Sequence, residues 1–239
     1  MSLILTERLI QRQLNHWNRM RAYLRDKEPS PEPRRGPVIT ISRLAGSGGR
    51  LLAQALADKL DLDLHDQSLV TRIAEDKRLK QSLVAQLDER TVSQVHLWVQ
   101  GVLHRRLFLR DDYHTALVEV ITSLAARGSV VFLGRGANLI LGDRADLRVR
   151  VVASVHTRLE RLRERTGLSR AEVRTLVTET DAQRAGFIRE VFHVEPDLAE
   201  NFDLVLNADR LDTDAMLDQV LLAMTRTGTL VEPVLQSRG

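Results

Sequence analysis

The chain has 239 residues, 43% hydrophobic and 28% charged, which is ordinary for a globular protein and enough to bury a full core. The absence of cysteine excludes a disulfide framework and a cysteine-ligated zinc site; it fits a reducing compartment, so we expect a cytoplasmic protein. With a net charge of +3, 4% aromatic residues and no apolar run of roughly 18 residues, we expect neither nucleic acid nor a membrane as partner. A small molecule that carries phosphate is the favoured ligand.

The first 36 residues differ in pattern from the rest. Residues 3–24 have the periodicity of an amphipathic helix, and four of the six prolines follow within residues 29–37, which predicts a linker. The favoured interpretation is an arm that docks on the main domain or on a second subunit, as in a homodimer. A helix lying on a membrane surface is the alternative.

From residue 37 onward, short apolar strands alternate with helical segments. Strands are predicted at residues 38–42, 62–65, 129–133, 147–153 and 203–207. Helices are predicted at residues 49–60, 67–76, 79–88, 91–108, 112–127, 156–166, 170–192 and 212–226, with a capping box at Ser169 and Glu172. This order predicts a main domain at 37–230, followed by a tail at 231–239. Its parallel sheet would be covered on both faces, and ligands would bind beyond the carboxyl ends of the strands.

A glycine-rich turn joins the first strand to the first helix. Glycines let backbone N–H groups crowd an anion, and the helix N-terminus adds partial positive charge, so strand, turn and helix together predict a phosphate cradle. A plain glycine turn into a helix is the alternative. The candidate phosphate-binding residues are Ser42, Arg43, Gly46, Ser47, Gly48, Gly49 and Arg50.

This turn departs from the P-loop template G-x-x-x-x-G-K-[ST]. With Gly48 at the second template glycine, Gly49 occupies the lysine position and Arg50 the Ser/Thr position. With Gly49 there instead, Arg50 supplies a charge at the lysine position, but Leu51 lacks the hydroxyl that would hold Mg²⁺. Neither alignment recovers the first glycine, and the sequence leaves both open.

Two further strand ends carry candidate residues. Asp66 follows the second strand, where its carboxylate either accepts hydrogen bonds from a nucleotide or caps the helix that begins at Gln67. Arg135 stands between two glycines after the third strand, a place that suits bidentate recognition of phosphate. Leu133 occupies the position where many P-loop enzymes carry an acidic residue for the metal.

Arginines dominate the helix after the fourth strand. Arg158, Arg161 and Arg165 share one helical face, although interleaved glutamates leave a solvated, salt-bridged surface as the alternative for at least one of them. Further along, Asp181 and Arg184 stand one helical turn apart. That spacing either orients the arginine toward phosphate or forms an ordinary helical ion pair.

Taken together, these segments resemble the cytidylate kinase-like family of the nucleoside monophosphate kinases. The matching segments are ITISRLAGSGGR (39–50), His65-Asp66, VVFLGRGANLIL (130–141), RVVASVHTRLERLRER (150–165), Asp181-x-x-Arg184 and FDLVLNADRL (202–211). The resemblance covers about residues 37–226. It implies an α/β fold of the P-loop NTPase type, with three α/β/α layers around a parallel core sheet. It also implies a helical acceptor-binding insert at about 67–128 and a lid region at about 156–192.

The resemblance implies phosphoryl transfer from ATP, with Mg²⁺, to a nucleoside monophosphate, most simply CMP or dCMP. It assigns the turn from Gly46 to Arg50 to the donor phosphates, and it assigns Asp66 and Arg135 to the acceptor nucleotide. The implied catalytic residues are Arg50, Arg158, Arg161 and Arg184, with Asp181 as orienting partner. It assigns no residue to a metal.

The chain departs from the family pattern at three places: the standard lysine is missing, Leu133 replaces the acidic residue, and Glu179-Thr180 replaces a lid arginine. Phosphoryl transfer depends on positioning and on neutralising phosphate charge, so these losses concern catalysis itself. Two alternatives therefore stand beside the kinase hypothesis. One is a nucleotide-binding sensor or partner-binding protein that has lost turnover, and the other is a kinase with a non-nucleotide acceptor.

Overall fold

The computed structural model describes residues 36–85, 87–105 and 112–230, and the predicted arm helix and the tail at 231–239 lie outside them. Parallel strands pair within this part of the chain in the order β2-β3-β1-β4-β5. The strands are β1 (Val38–Arg43), β2 (Asp63–Asp66), β3 (Val130–Leu133), β4 (Leu147–Val152) and β5 (Leu204–Asn207). The sheet predicted from the alternation is thus present.

Helices fill the connections between the strands. They are α1 (Gly49–Leu60), α2 (Gln67–Glu75), α3 (Lys77–Ala85), α4 (Glu89–Arg105), α5 (Asp112–Arg127), α6 (Ala137–Leu141), α7 (Val155–Thr166), α8 (Arg170–Phe192) and α9 (Thr213–Arg226). Short 3₁₀ turns follow α6 (Gly142–Arg144) and precede β5 (Ala199–Asn201). The sequence analysis missed α6, because this five-residue helix is too short for a periodic signal.

The core lies on both faces of the sheet, because successive residues of a strand point to opposite sides. On one face, Val38, Val130 and Phe132 pack against α2, α5 and α6. On the other face, Ile39, Ile41 and their neighbours pack against α1 and α9. The three layers expected from the apolar strands are therefore present.

A smaller apolar cluster joins α7 and α8 to the turn after β1. Ala45 of that turn packs against Leu159 and Leu162 of α7 and against Val173 and Val177 of α8. The predicted capping box begins α8, since the Ser169 hydroxyl accepts from the Glu172 amide and the Glu172 carboxylate accepts from the Ser169 amide. The cluster ties both helices to the glycine-rich turn.

The strand order decides where a ligand can bind. β1 lies between β3 and β4, so the segments that follow these three strands emerge side by side at one edge of the sheet. In open parallel sheets, ligands bind at this point, where the strand order reverses direction. Every helix in the described ranges is too short or too polar to span a bilayer.

Candidate functional site

The glycine-rich turn after β1 forms the rim of the site. Gly48 is the N-cap residue of α1 and has a left-handed backbone, with φ 90°. Because glycine has no side chain, the N-cap provides no side-chain hydrogen bond to the first turn of α1. The buried Ser47 hydroxyl donates to the Leu44 carbonyl at 2.9 Å, which closes the turn from within. The first turn of α1 is therefore without a side-chain cap, as an anion-binding helix N-terminus requires.

The turn is held from outside by α7 and α8. The Asp181 carboxylate accepts a hydrogen bond from the Ala45 amide at 2.8 Å, and Arg158 donates to the Ala45 carbonyl at 3.3 Å. Arg158 and Asp181 also pair with each other. Arg161 donates to the carbonyls of Ser47, at 3.2 Å, and Ala208, at 2.7 Å. These side chains fix the backbone that would surround a phosphate.

These contacts give the lid-region arginines definite positions. Arg158 is buried, with 6% of its surface exposed, whereas Arg165 is exposed. Arg165 is therefore the member of this helical face to which the solvated-surface alternative applies. Asp181 pairs with Arg158 rather than with its helical neighbour Arg184. The guanidinium of Arg184 donates instead to the Arg43 carbonyl at 3.2 Å.

A cavity of about 380 Å³ adjoins the turn at the carboxyl edge of the sheet. Its wall combines four arginines with two aspartates. These charged residues are Arg43, Arg135, Arg150, Arg184, Asp181 and Asp197. Because Asp181 also neutralises Arg158, the cavity carries an excess of positive charge and is suited to a phosphate-bearing ligand.

Arg135 enters this cavity from the segment that follows β3. Its backbone is left-handed, with φ 55°, and its guanidinium lies 5.2 Å from the ring centre of Phe187. The buried Nε atom of Arg135 has no hydrogen-bond partner in the described part of the chain. A Cβ at the neighbouring Gly136 would lie 2.3 Å from the Phe192 ring, so this residue must be glycine. The Arg135 guanidinium is thus supported by an aromatic ring, and its buried Nε is unpaired among the described residues.

Arg150 is a site residue that the sequence analysis did not assign. It lies on β4 with 7% of its surface exposed, donates to the Ser42 hydroxyl at 3.0 Å and pairs with Asp197. Burial lowers the pKa of Arg150, while Asp197 opposes that shift. The sequence could have indicated this residue, because Arg150 is a charged residue inside an apolar strand and charged side chains are rarely buried without a partner.

Asp66 caps α2, as one of the two interpretations expected. Its carboxylate accepts from the amides of Ser68, at 3.0 Å, and Leu69, at 3.1 Å, and it pairs with Arg50 at 3.2 Å. The Ser68 hydroxyl is the main cause that lowers the pKa of Asp66. The Arg50 side chain is 70% exposed. Contact of Asp66 with an acceptor nucleotide stays a prediction.

The residues fit a nucleotide better than they fit a resident metal ion. The cradle and the arginines suit the phosphates of ATP. Among the described residues, no three His, Asp or Glu side chains come together as a metal site, and the acidic position of the template is the buried Leu133. Asp66 and Asp181 are engaged in the contacts given above. We therefore assign no role to a protein-bound Mg²⁺.

Comparison with known proteins agrees with this geometry. Residues 38–210, well over half of the chain, match the Cytidylate kinase-like family. The chain belongs to that family. Its P-loop type of α/β fold, predicted from the resemblance, is confirmed by this match and by the parallel sheet. Membership also supports phosphotransferase activity of the nucleotide-kinase type.

Curated relatives include two archaeal cytidylate kinases. The cytidylate kinase of Pyrococcus horikoshii is 24% identical over 78% of this chain and 88% of its own length. That of Methanothermobacter thermautotrophicus is 25% identical over 74% of this chain and 99% of its own. A 97-residue match to a uronate isomerase of Corynebacterium glutamicum, 30% identical, spans 40% of this chain but only 19% of that enzyme. The long matches therefore support the family assignment.

A solved structure shares the fold. The crystal structure of an uncharacterized protein from Eubacterium ventriosum superposes with a TM-score of 0.55. Sequence identity is 17%, and the match covers 79% of this chain and 98% of the other. At this identity the likeness concerns the fold alone.

Proposed function

We propose that this member of the cytidylate kinase-like family transfers the terminal phosphoryl group of ATP to a nucleoside monophosphate, with CMP or dCMP as acceptor. One observation carries the proposal. Arg43, Arg135, Arg150 and Arg184 line a cavity whose wall includes Leu44 of the glycine-rich turn, and that turn leads into the uncapped N-terminus of α1. A donor polyphosphate and an acceptor phosphate must approach each other in such a reaction, and concentrated positive charge offsets their repulsion.

The roles follow from the positions. The amides from Gly46 to Gly49 would hold the donor phosphates, with Arg50 as an exposed cation at the first turn of α1. Arg135 would clamp the acceptor phosphate, since it lines the cavity and its guanidinium is supported on Phe187. An oxygen of the acceptor phosphate attacks directly, so no side chain need act as nucleophile. Kinases of this family type generally use ATP together with Mg²⁺, which would arrive with the nucleotide.

The choice of acceptor depends on the relatives. The curated proteins that match most of this chain are named cytidylate kinases, at 24–25% identity. The cavity volume of about 380 Å³ is in the usual range for small-molecule sites.

We propose a cytoplasmic location for the protein. We also propose that the N-terminal arm contacts a second copy of the chain, which light scattering on the full chain would test.

A nucleotide sensor is the second candidate, and two observations favour it. Leu133 is buried and apolar where the metal-binding acid would stand. Arg158 and Arg161, implied to neutralise the transferred group, donate instead to backbone carbonyls. A protein with this site would bind ATP and signal through a partner without turnover.

The deciding experiment is ADP formation by the purified chain with ATP, Mg²⁺ and a broad acceptor screen, which contains nucleoside monophosphates and non-nucleotide alcohols. The Arg135→Ala variant, purified in parallel, excludes a contaminating kinase. Turnover with CMP or dCMP that disappears in the variant is the expected result. If titration shows ATP binding but no acceptor is phosphorylated, the sensor replaces the kinase; turnover only with a non-nucleotide acceptor would support the third alternative.

A further inference from the structure

Two departures from the P-loop template are in contact with each other. When Gly48 is the second template glycine, Arg43 occupies the first glycine position and Gly49 the lysine position. A Cβ at Gly49 would lie 2.7 Å from the Cβ of Arg43 and 3.3 Å from that of Val151, and a Cβ essentially never has a neighbour closer than 3.0 Å. Any side chain at position 43, arginine included, and any side chain at position 49 therefore exclude each other.

A second glycine accommodates the other end of the Arg43 side chain. A Cβ at Gly134 would lie 2.1 Å from Nη1 of Arg43, and the φ of Gly134 is +88°. The Arg43 side chain thus extends from Gly49, at the start of α1, to Gly134, which follows β3. This path brings its guanidinium to the wall of the cavity, beside Arg135.

Within the part of the chain that the structure describes, the Arg43 guanidinium has no neutralising partner of its own. Among those residues it makes neither a hydrogen bond nor an ion pair, and the charge of Asp66 offsets the effect of burial on its pKa only in part. Burial, followed by the nearby charge of Arg184, lowers the pKa of Arg43 to about 10. The side chain is therefore still charged at pH 7, and the cost of that buried charge falls when an anion binds.

We infer that Arg43 replaces the template lysine: it supplies the phosphate-binding cation from the β1 end of the turn, and Gly49 is glycine to make room for it. The inference rests on the proposed function only in taking ATP as the ligand. It also selects the alignment with Gly48 at the second template glycine, so that Arg50 is an exposed auxiliary cation and not the substitute for the lysine.

The test exchanges the two residues back to the template. ATP affinity is measured by calorimetry, and the melting temperature without ligand is recorded, for wild type, Arg43→Gln, Arg43→Gly, Gly49→Lys and the double variant Arg43→Gly/Gly49→Lys. Arg163→Ala is the matched control, because Arg163 is an exposed arginine of α7 that pairs with Glu160 at the surface.

Loss of the Arg43 charge should weaken ATP binding about 10-fold to 100-fold, the range for a lost charged hydrogen bond. Arg43→Gln should melt no lower than wild type without ligand, because it removes a buried, unpaired charge. Gly49→Lys should melt lower than wild type, and the double variant should recover both the melting temperature and ATP affinity to within about threefold of wild type, as an exchange of neighbours predicts. Arg163→Ala should behave as wild type in both measurements.

The outcomes separate this inference from the kinase proposal. Normal ATP affinity in Arg43→Gln, or a double variant no better than Gly49→Lys alone, would overturn the inference even in an active kinase. If wild type binds ATP but phosphorylates no acceptor, the kinase proposal fails and the affinity comparison still decides the role of Arg43. A wild-type chain that does not bind ATP would overturn the inference directly.

Discussion

Arg158 and Asp181 form an ion pair that binds both polar backbone groups of Ala45. Asp181 accepts a hydrogen bond from the Ala45 amide, and Arg158 donates one to the Ala45 carbonyl. The pair therefore connects α7 and α8 to the glycine-rich turn. It also gives Arg158, which has only 6% of its surface exposed, a counter-charge in its buried position. The shape of the phosphate cradle depends on it.

Replacement of Asp181 by asparagine should destabilise the fold and weaken the cradle. The substitution leaves Arg158 buried without its counter-charge, which costs about 3 kcal/mol. Urea denaturation measures the loss in the free energy of unfolding, and the ATP KM should rise in the same variant. The double variant Arg158→Met/Asp181→Asn should recover part of the stability, because it removes the stranded charge; equal stability of wild type and the single variant would contradict the argument.

Arg135 can be tested with two replacements that differ in backbone preference. Both Arg135→Ala and Arg135→Gly should raise the acceptor KM and lower kcat, reducing kcat/KM by about 10³-fold, as the loss of an arginine that stabilises transferring phosphate does. Glycine should be the more stable replacement by about 1 kcal/mol, since residue 135 has φ 55°. Steady-state kinetics with CMP and thermal melts provide the two readouts, and an unchanged kcat/KM in either variant would remove Arg135 from the site.

The sequence predicted the sheet better than the site. Each strand lies within one residue of its expected bounds, because apolar runs flanked by glycine or charge are strong local signals. The helices α3 and α4 begin two residues before their expected starts, since no proline marks these starts, and the predicted end of α4 at residue 108 lies outside the described residues. The Ser169 capping box was predicted correctly, and the Asp66 cap was one of the two interpretations that the sequence left open; both are local motifs.

The contacts that shape the site could not be predicted in this way. Asp181 reaches Ala45 across 136 residues, and Arg158 reaches it across 113. The same holds for Arg43, whose contact with Gly134 depends on the pairing of β1 with β3. Periodicity describes the neighbours of a residue in sequence and carries no information about such partners.

Gly136 should tolerate no side chain. In Gly136→Ala, the new Cβ would meet the buried Phe192 ring at 2.3 Å, and φ at this residue is +64°. Overpacking and the left-handed backbone together should cost about 3 kcal/mol. Gly167→Ala is the control, because its φ is +70° but nothing lies within 4 Å of the added atom, so only about 1 kcal/mol should be lost. Similar losses in the two variants would show that the Phe192 contact is unimportant.

Asp66 should contribute pH-dependent stability through its cap of α2. Its pKa lies below the ordinary value of 3.8, mainly because the Ser68 hydroxyl donates to the carboxylate. The contribution is therefore fully present above pH 3.8 and is lost as the pH falls through the lowered pKa. Asp66→Ala should lose about 1 kcal/mol at pH 7, and the difference from wild type should shrink in strong acid.

Thermal melts of wild type and Asp66→Ala between pH 7 and pH 2 measure this dependence. Asp218→Ala, which changes an exposed carboxylate on α9, is the control and should follow wild type at every pH. A constant difference between wild type and Asp66→Ala over the whole range would show that the charge of Asp66 plays no part in the cap.

A single helix connects the two proposed nucleotide subsites. Over its 23 residues, α8 places Asp181 on the glycine-rich turn, Arg184 at the cavity, and Phe187 and Phe192 against the Gly134–Gly136 segment. A rigid element of this kind cannot adjust one end without moving the other. Variants that are selected for a new acceptor through changes in α8 should therefore change in ATP affinity as well. Donor and acceptor preferences are accordingly expected to evolve together in this family.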